Sequence, residues 1–409
     1  MATNLRKFVN LKFLKTCDLA LMRQLMSRYR GAHAGIDLKV FNGEEDEIRE
    51  ALRKFFERPE SGYPQALVAD LHRIADLGTG HGMRRLLERA KVAGVALSPI
   101  PKESDKADAK YVALKAFLEH REVFDAASDL LSLETTVALT ELRGGTGDTK
   151  PTLNRKTKAA FEAAAKAFFS SEKMGSHCRI GWYDDGDEVR IVAVHGTEIE
   201  TEWVVEGEKE KVISFRPLGT TVLAYDPVEG RLKVGGLPKA QRPVLAAIFA
   251  RTILKQETFF DRDDAGDLYT LDPVENAGFA FRFDHRFDQG VRSVKVVEAQ
   301  ADRIAATRVN RRANRLWSVL IKDRNNALER MGQVTSVSFG PAAYRLAHIA
   351  FRVEFESEAR PHPRVTVQLA PPGTAAFKRE RFEGRIMDLL RRNGLCLDRK
   401  PAEVAVAAE

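Results

Sequence analysis

Six cations stand at helical spacing near the C-terminal end of the chain. Taken at 100° per residue, Arg308, Arg311, Arg312, Arg315, Lys322 and Arg330 fall within roughly 100° of one another, with Asn326 in the same stripe. Leu316, Trp317, Leu320, Ile321 and Leu328 occupy the other side. Residues 303–330 hold eight basic side chains against two acids, Asp323 and Glu329. A helix through about 308–330 is therefore expected, with a one-sided cationic surface over an apolar seam. Guanidinium groups bind phosphate oxygens through forked hydrogen bonds, and a basic stripe gains further from counterion release. The chemistry expected is contact with a nucleic-acid backbone. A solvated helix face is the competing account.

Residues 184–210 have the opposite character, with ten acids against Arg190 and Lys209. Such a module can dock on the basic stripe, either neutralising it or competing with an incoming polyanion. The first and final helices add further cations, among them Lys12, Lys15, Arg23, Arg28 and Arg30, then Lys378, Arg379, Arg381, Arg385, Arg391 and Arg392. Across the chain the excess is segregated: +5 over residues 1–170, −6 over 171–300, +10 over 301–400 and −2 over the last nine.

Signals for catalysis or metal binding are weaker. The run from Asp261 to Asp272 resembles a calcium loop at its first, third and sixth positions, but Ala265 and Asp272 depart from the pattern at the fifth and twelfth. Gly144-Gly145-Thr146-Gly147-Asp148-Thr149-Lys150 lacks the spacing of a phosphate loop and reads as a linker. His177 and Cys178 are adjacent in an expected strand and so point to opposite faces. Asp226, Glu229 and Lys233 straddle one expected hairpin and come nearest to a nuclease-like set, although Asp226-Pro227 with Gly230 already accounts for a turn and Lys233 reads as an outward strand residue. Trp182, Tyr183 and Trp203 suit a sheet core better than base stacking. No metal or cofactor motif emerges.

The elements that must carry these residues read as α+β. Apolar residues from Leu11 to Glu172 recur mostly every three or four positions, which predicts helices including Ile48–Phe56 after a cap at Asn42, Leu67–Ile74, Met83–Val92, Tyr111–Phe124 and Thr157–Phe169. At His177 the period becomes extended. Strands are expected at 178–183, 188–194, 201–205, 212–215, 221–225 and 231–234 in a small antiparallel sheet or partly closed barrel, covered by a helix over Pro243–Leu254. Further strands are expected near 279–283, 291–297, 334–339, 346–355 and 365–369, then a helix over Lys378–Arg392 stopped by Asn393-Gly394. The expected division is a helical domain at 1–172, an acidic β-rich domain at 173–260, a basic α+β domain at 261–400 and a frayed tail at 401–409.

The 409 residues, with 44% hydrophobic and 30% charged, suffice for two or three domains. The longest apolar run, Val244–Ala250, is seven residues, so no membrane partner is expected. Cys17, Cys178 and Cys396 lack paired spacing, which suits a reducing compartment, and a cytoplasmic location is expected. With a net charge of +7, the leading expectation is a non-catalytic nucleic-acid-binding accessory protein. The alternatives are a protein-interaction adaptor in a bacterial-type assembly and a metal-dependent enzyme acting on nucleic acid or a phosphorylated substrate.

Overall fold

A computed structural model describes residues 11–29, 37–56, 65–101, 106–184, 187–206, 208–304, 315–340, 344–358, 361–379 and 382–397. Arg30, Arg308, Arg311, Arg312, Arg381, the Asp185-Gly186 turn and the tail 401–409 lie outside them. Helices and three antiparallel sheets make a mixed α+β fold, helical first and β-rich afterwards. The chain forms two compact units, residues 1–132 with 197–218, and residues 133–196 with 219–409.

The first unit is built on helices α1 (Leu11–Leu14), α2 (Leu19–Ser27), α3 (Glu45–Phe56), α4 (Gln65–Leu77), α5 (Gly80–Val92), α6 (Ala109–Glu119) and most of α7 (Arg121–Thr135). Local chemistry sets their starts: Asp18, Thr79 and Asp108 accept hydrogen bonds from backbone amides of α2, α5 and α6. Asn42, expected as a cap, instead ends a 3-10 turn over Leu38–Asn42. The single helix expected over Tyr111–Phe124 is two, because His120 leaves helical geometry between α6 and α7. Met22, Leu25, Leu52, Phe55, Leu71, Leu86, Phe117 and Phe124 fill the core.

In the second unit, β1 (Leu139–Arg143), β2 (Cys178–Asp184), β3 (Val189–Gly196), β6 (Leu218–Asp226) and β7 (Arg231–Gly235) form a sheet ordered β1-β7-β6-β3-β2. Helices α8 (Arg155–Ser171) and α9 (Arg242–Phe249), the latter continuing as a π-turn through Leu254, pack on it through Phe161, Phe169, Phe249 and Ile253. Strands β4 (Glu200–Glu206) and β5 (Lys209–Phe215), which come between β3 and β6 in sequence, form a separate two-stranded ribbon that belongs to the first unit. The amide of Thr197 donates to the Pro217 carbonyl at the neck of that ribbon.

The second sheet is ordered β12-β11-β10-β8-β9, from β8 (Val291–Ile304), β9 (Arg315–Lys322), β10 (Tyr344–Phe355), β11 (Arg364–Ala370) and β12 (Thr374–Ala376). Its inner residues, such as Ala299, Ile349, Phe351 and Val367, pack with side chains of α10 (Asp272–Ala277), α11 (Ala327–Val334) and α12 (Glu383–Arg392). Two expected strands are absent. Residues 279–283 run through a 3-10 turn and extended coil, and 334–339 follows the end of α11 with only an isolated bridge at Phe339. Gly394, at φ 69°, provides the left-handed stop expected after α12.

A buried ionic cluster joins the two sheets of this unit. The Glu141 side chain is fully buried; it accepts from Arg231 on β7, from Tyr269 at 3.1 Å and from Arg379 at 2.5 Å. Arg379 also reaches Glu383 at 2.6 Å, and Lys233 bridges Glu188 at 3.1 Å and Glu383 at 2.8 Å. Burial pushes the Glu141 carboxyl up, but the Arg231 and Arg379 charges outweigh it and bring the pKa to about 2. Each of these carboxylates is met by at least two cations, Glu188 by Arg190 at 2.9 Å besides Lys233, which is the condition for burying them at all.

Candidate nucleic-acid interface

Within the basic segment, residues 315–322 form the edge strand β9 where a helix is expected. Strand β8 runs antiparallel to β9, pairing Glu298 with Lys322, Gln300 with Leu320, Asp302 with Ser318 and Arg303 with Trp317. The reason lies in the alternation Trp317, Val319, Ile321. In this register Val319 and Ile321 lie opposite the buried Ala301 and Ala299, and both pack on the core. Two β-branched side chains and a tryptophan at every second position suit a pleated surface. A turn then ends the strand: Asp323 accepts from the amides of Asn325 and Asn326, and Asn326 caps α11 by accepting from Leu328 and Glu329.

The six predicted cations are therefore not one stripe. Arg315 and Lys322 stand at opposite ends of β9, on alternate faces, and Arg330 belongs to the separate helix α11. Arg308, Arg311 and Arg312 are outside the described residues, between β8 and β9 in the sequence. Asn326, grouped with the stripe by spacing, is a helix cap.

Around the ribbon, charges are partly paired and the apolar residues are open. Lys322 contacts Glu298 at 2.8 Å, and His348 contacts the same carboxylate at 2.9 Å. These two hydrogen bonds hold the Glu298 carboxyl below its ordinary range. Asp302 accepts from Ser318 at 2.6 Å and Gln300 at 2.9 Å, with Arg315 3.9 Å away. Trp317, 54% exposed, donates its indole N–H to the Tyr344 hydroxyl at 3.0 Å, while Arg303 lies over the Tyr344 ring at 5.5 Å. Leu316 and Leu320 are exposed as well. Sequence reasoning missed Arg303, Trp317 and Tyr344 as neighbours because 27 positions separate the two aromatics; alternation within 315–322 was the available signal.

Farther along the same sheet, Arg292, Glu354, Pro361, His362 and Arg364 line an open depression of about 670 Å³. Arg364 grips Glu354 through two nitrogens at 3.0 and 3.2 Å and lowers its carboxyl pKa; Arg292 stands 2.6 Å from His362.

The other candidate sites resolve into structural roles. Asp226 accepts from the amides of Val228 and Glu229 within its turn, whereas Lys233 is committed to Glu188 and Glu383. The calcium-like run buries Ala265, Leu268 and Tyr269 and pairs Arg262 with Asp264. Burial pushes the Cys178 thiol up, away from the thiolate a nucleophile needs. Its cross-strand neighbour, His195, is a core residue stacked on Phe169 at 4.0 Å. His195 Nδ1 meets the Gly196 carbonyl, which only accepts, so Nδ1 carries the proton and Nε2 receives the Thr221 hydroxyl. Trp182 packs edge-on against Phe161, as expected of a sheet residue, but Trp203 is 75% exposed. Among the described residues no group of three or more His, Cys, Asp or Glu could hold a metal ion, and no helix is long and apolar enough to cross a membrane. No family model matches this chain, and no curated protein matches it.

Proposed function

We propose that the chain binds nucleic acid, without catalysis, through the basic β8–β9 ribbon and the segment that joins its strands. The observation that carries this reading is the position of Trp317, exposed on an edge strand beside Arg303 and Arg315, in a stretch whose connecting residues add Arg308, Arg311 and Arg312. Residues 298–330 contain eight Arg or Lys and four Asp or Glu, so the net charge stays positive after the pairing with Glu298 and Asp302. An exposed indole on an edge strand offers a face on which an unpaired base can stack. Guanidinium groups supply the phosphate contacts; the stacking contact is indifferent to base identity. Backbone-directed binding with little sequence preference follows.

Fluorescence anisotropy with a labelled oligonucleotide tests this. Affinity should fall steeply with salt, and the triple variant R311E/R312E/R315E should flatten that dependence by about three phosphate contacts' worth while weakening binding at least tenfold. Trp317→Ala should cost about 1–3 kcal/mol with single-stranded ligand and leave the salt slope unchanged. Tight binding that ignores the triple reversal would remove the assignment to this ribbon.

A further inference from the structure

One face of the sheet β12-β11-β10-β8-β9 packs into the core, and the opposite face carries cations at the end away from β9. Three strands of the second unit meet there in register: Glu354 stands opposite Ser293 and Arg364, and Arg352 opposite Lys295 and Thr366. The intervening Phe351, Val353, Val365 and Val367 are buried, so alternation turns these rows outward. Arg292 joins them through a bulge. The register pairs Phe355 with Val291 and then Glu354 with Ser293, which leaves Arg292 as the extra residue of β8 and aims it at the depression it shares with Glu354, His362 and Arg364.

This is an unfavourable way to leave a surface bare. Like charges directly opposite one another on a sheet face repel, yet Lys295 and Arg352 are so placed, and neither pairs with a carboxylate among the described residues. The acids of the face are engaged elsewhere: Glu354 holds Arg364 at 3.0 Å, and Glu298 holds Lys322 and His348. Glu356 and Glu358, on the connection to β11, form no ion pair with these cations among the described residues. A guanidinium only donates, so the His362 Nε2 that lies 2.6 Å from Arg292 accepts and leaves the arginine's charge in place. Arg292 and Arg364 line the depression of about 670 Å³, and Lys295 and Arg352 stand one row away, about 7 Å along the strands.

We propose that this end of the sheet binds a small phosphorylated molecule, with its phosphate held by Arg292, Lys295 and Arg352 and its body in the depression. Charge selects the class. A phosphate monoester carries about −1.5 to −2 at neutral pH and three acceptor oxygens, which matches several converging cations where the single charge of a carboxylate falls short. Guanidinium forks supply paired hydrogen bonds to those oxygens. Glu354, held in place by Arg364, accepts a hydroxyl of the ligand. The cations occupy two adjacent rows, a footprint for one or two phosphate groups, and the depression has the size of a small-ligand site, about 300–1,000 Å³. None of these side chains belongs to the set that carries the nucleic-acid reading.

Isothermal titration calorimetry on the full chain in phosphate-free, low-salt buffer tests the proposal, with ribose 5-phosphate as the probe and gluconate as a sugar carboxylate of similar size. Ribose 5-phosphate should bind with a dissociation constant below about 1 mM, and gluconate at least about tenfold more weakly. K295T/R352T should weaken ribose 5-phosphate at least about tenfold, whereas R311E/R312E/R315E, which keeps every residue of the depression, should bind it as the wild type does. Thermal circular dichroism without ligand should show K295T/R352T unfolding no earlier than the wild type, because the substitution relieves repulsion. Weaker binding than about 1 mM, equal affinity for gluconate, retention in K295T/R352T or loss in the triple variant overturns the proposal. So does a lowered midpoint for K295T/R352T, which would make the two cations props of the fold. Oligonucleotide binding by the triple variant reports on the nucleic-acid reading separately.

Discussion

Removing the Glu141 carboxylate leaves Arg231 and Arg379 facing one another in a volume that water does not reach. Uncompensated buried charge costs several kcal/mol, so Glu141→Ala should destabilise the second unit by about 3–5 kcal/mol in chemical denaturation. The same residue sets an acid limit. Its carboxyl pKa lies at about 2 in the fold against an ordinary 4.5, so protons bind the unfolded chain first as pH falls. Its contribution is complete above about 4.5 and is lost progressively toward pH 2. Denaturation midpoints measured across that window should fall in the wild type and fall less steeply in Glu141→Gln. Sequence spacing does not show this: Glu141 lies in a stretch whose periodicity predicts helices, 90 positions from Arg231 and 238 from Arg379. Lys233 is near Asp226 and Glu229 in sequence, yet its partners, Glu188 and Glu383, come from beyond the hairpin.

Among elements, β2 to β7 were readable because their signals are local. Each strand is short, alternates, and is bounded by a turn such as Asp226-Pro227-Val228-Glu229-Gly230, in which the Asp226 side chain closes the bend. The register at the end of β7 depends on Gly236, at φ 81°, where an added Cβ would stand 1.9 Å from the Thr220 carbonyl oxygen. Gly236→Ala should therefore cost more than about 1 kcal/mol and broaden the unfolding transition of this sheet, as read by thermal circular dichroism. Cap residues were equally local, and Asn326→Ala should cost about 0.5–2 kcal/mol by leaving two amides of α11 unsatisfied. The basic segment misled because Arg308 to Arg330 satisfies helical spacing while Trp317, Val319 and Ile321 satisfy alternation. The long partner strand β8, with Ala299 and Ala301 opposite the β-branched residues, decided between them. Strand β1 has little sequence signal for a related reason: its five residues ending in Arg143 carry no clear pattern of their own and are held by pairing with β7.

For the molecule as a whole, charge segregation makes ionic strength the common variable. Raising salt should weaken oligonucleotide binding, whereas the stability contributed by Glu141 should change little, since buried pairs are poorly screened. Comparing the two responses on one preparation checks that surface and interior charges act separately. Composition and periodicity by themselves determined that this is an α+β chain, helical first and β-rich later, with an acidic middle and a basic C-terminal region. Those properties follow from the backbone's own repeats and from the charge carried by each residue, which do not depend on distant contacts. Tertiary structure alone decided that residues 315–322 enter a sheet, that Arg315 and Lys322 stand on a strand while Arg330 stands on a helix, and that Glu141, Glu188 and Glu383 meet their cations in the interior. Each of those outcomes is set by a partner far away in sequence, because burial is shared between surfaces and no single segment specifies which surface will cover it.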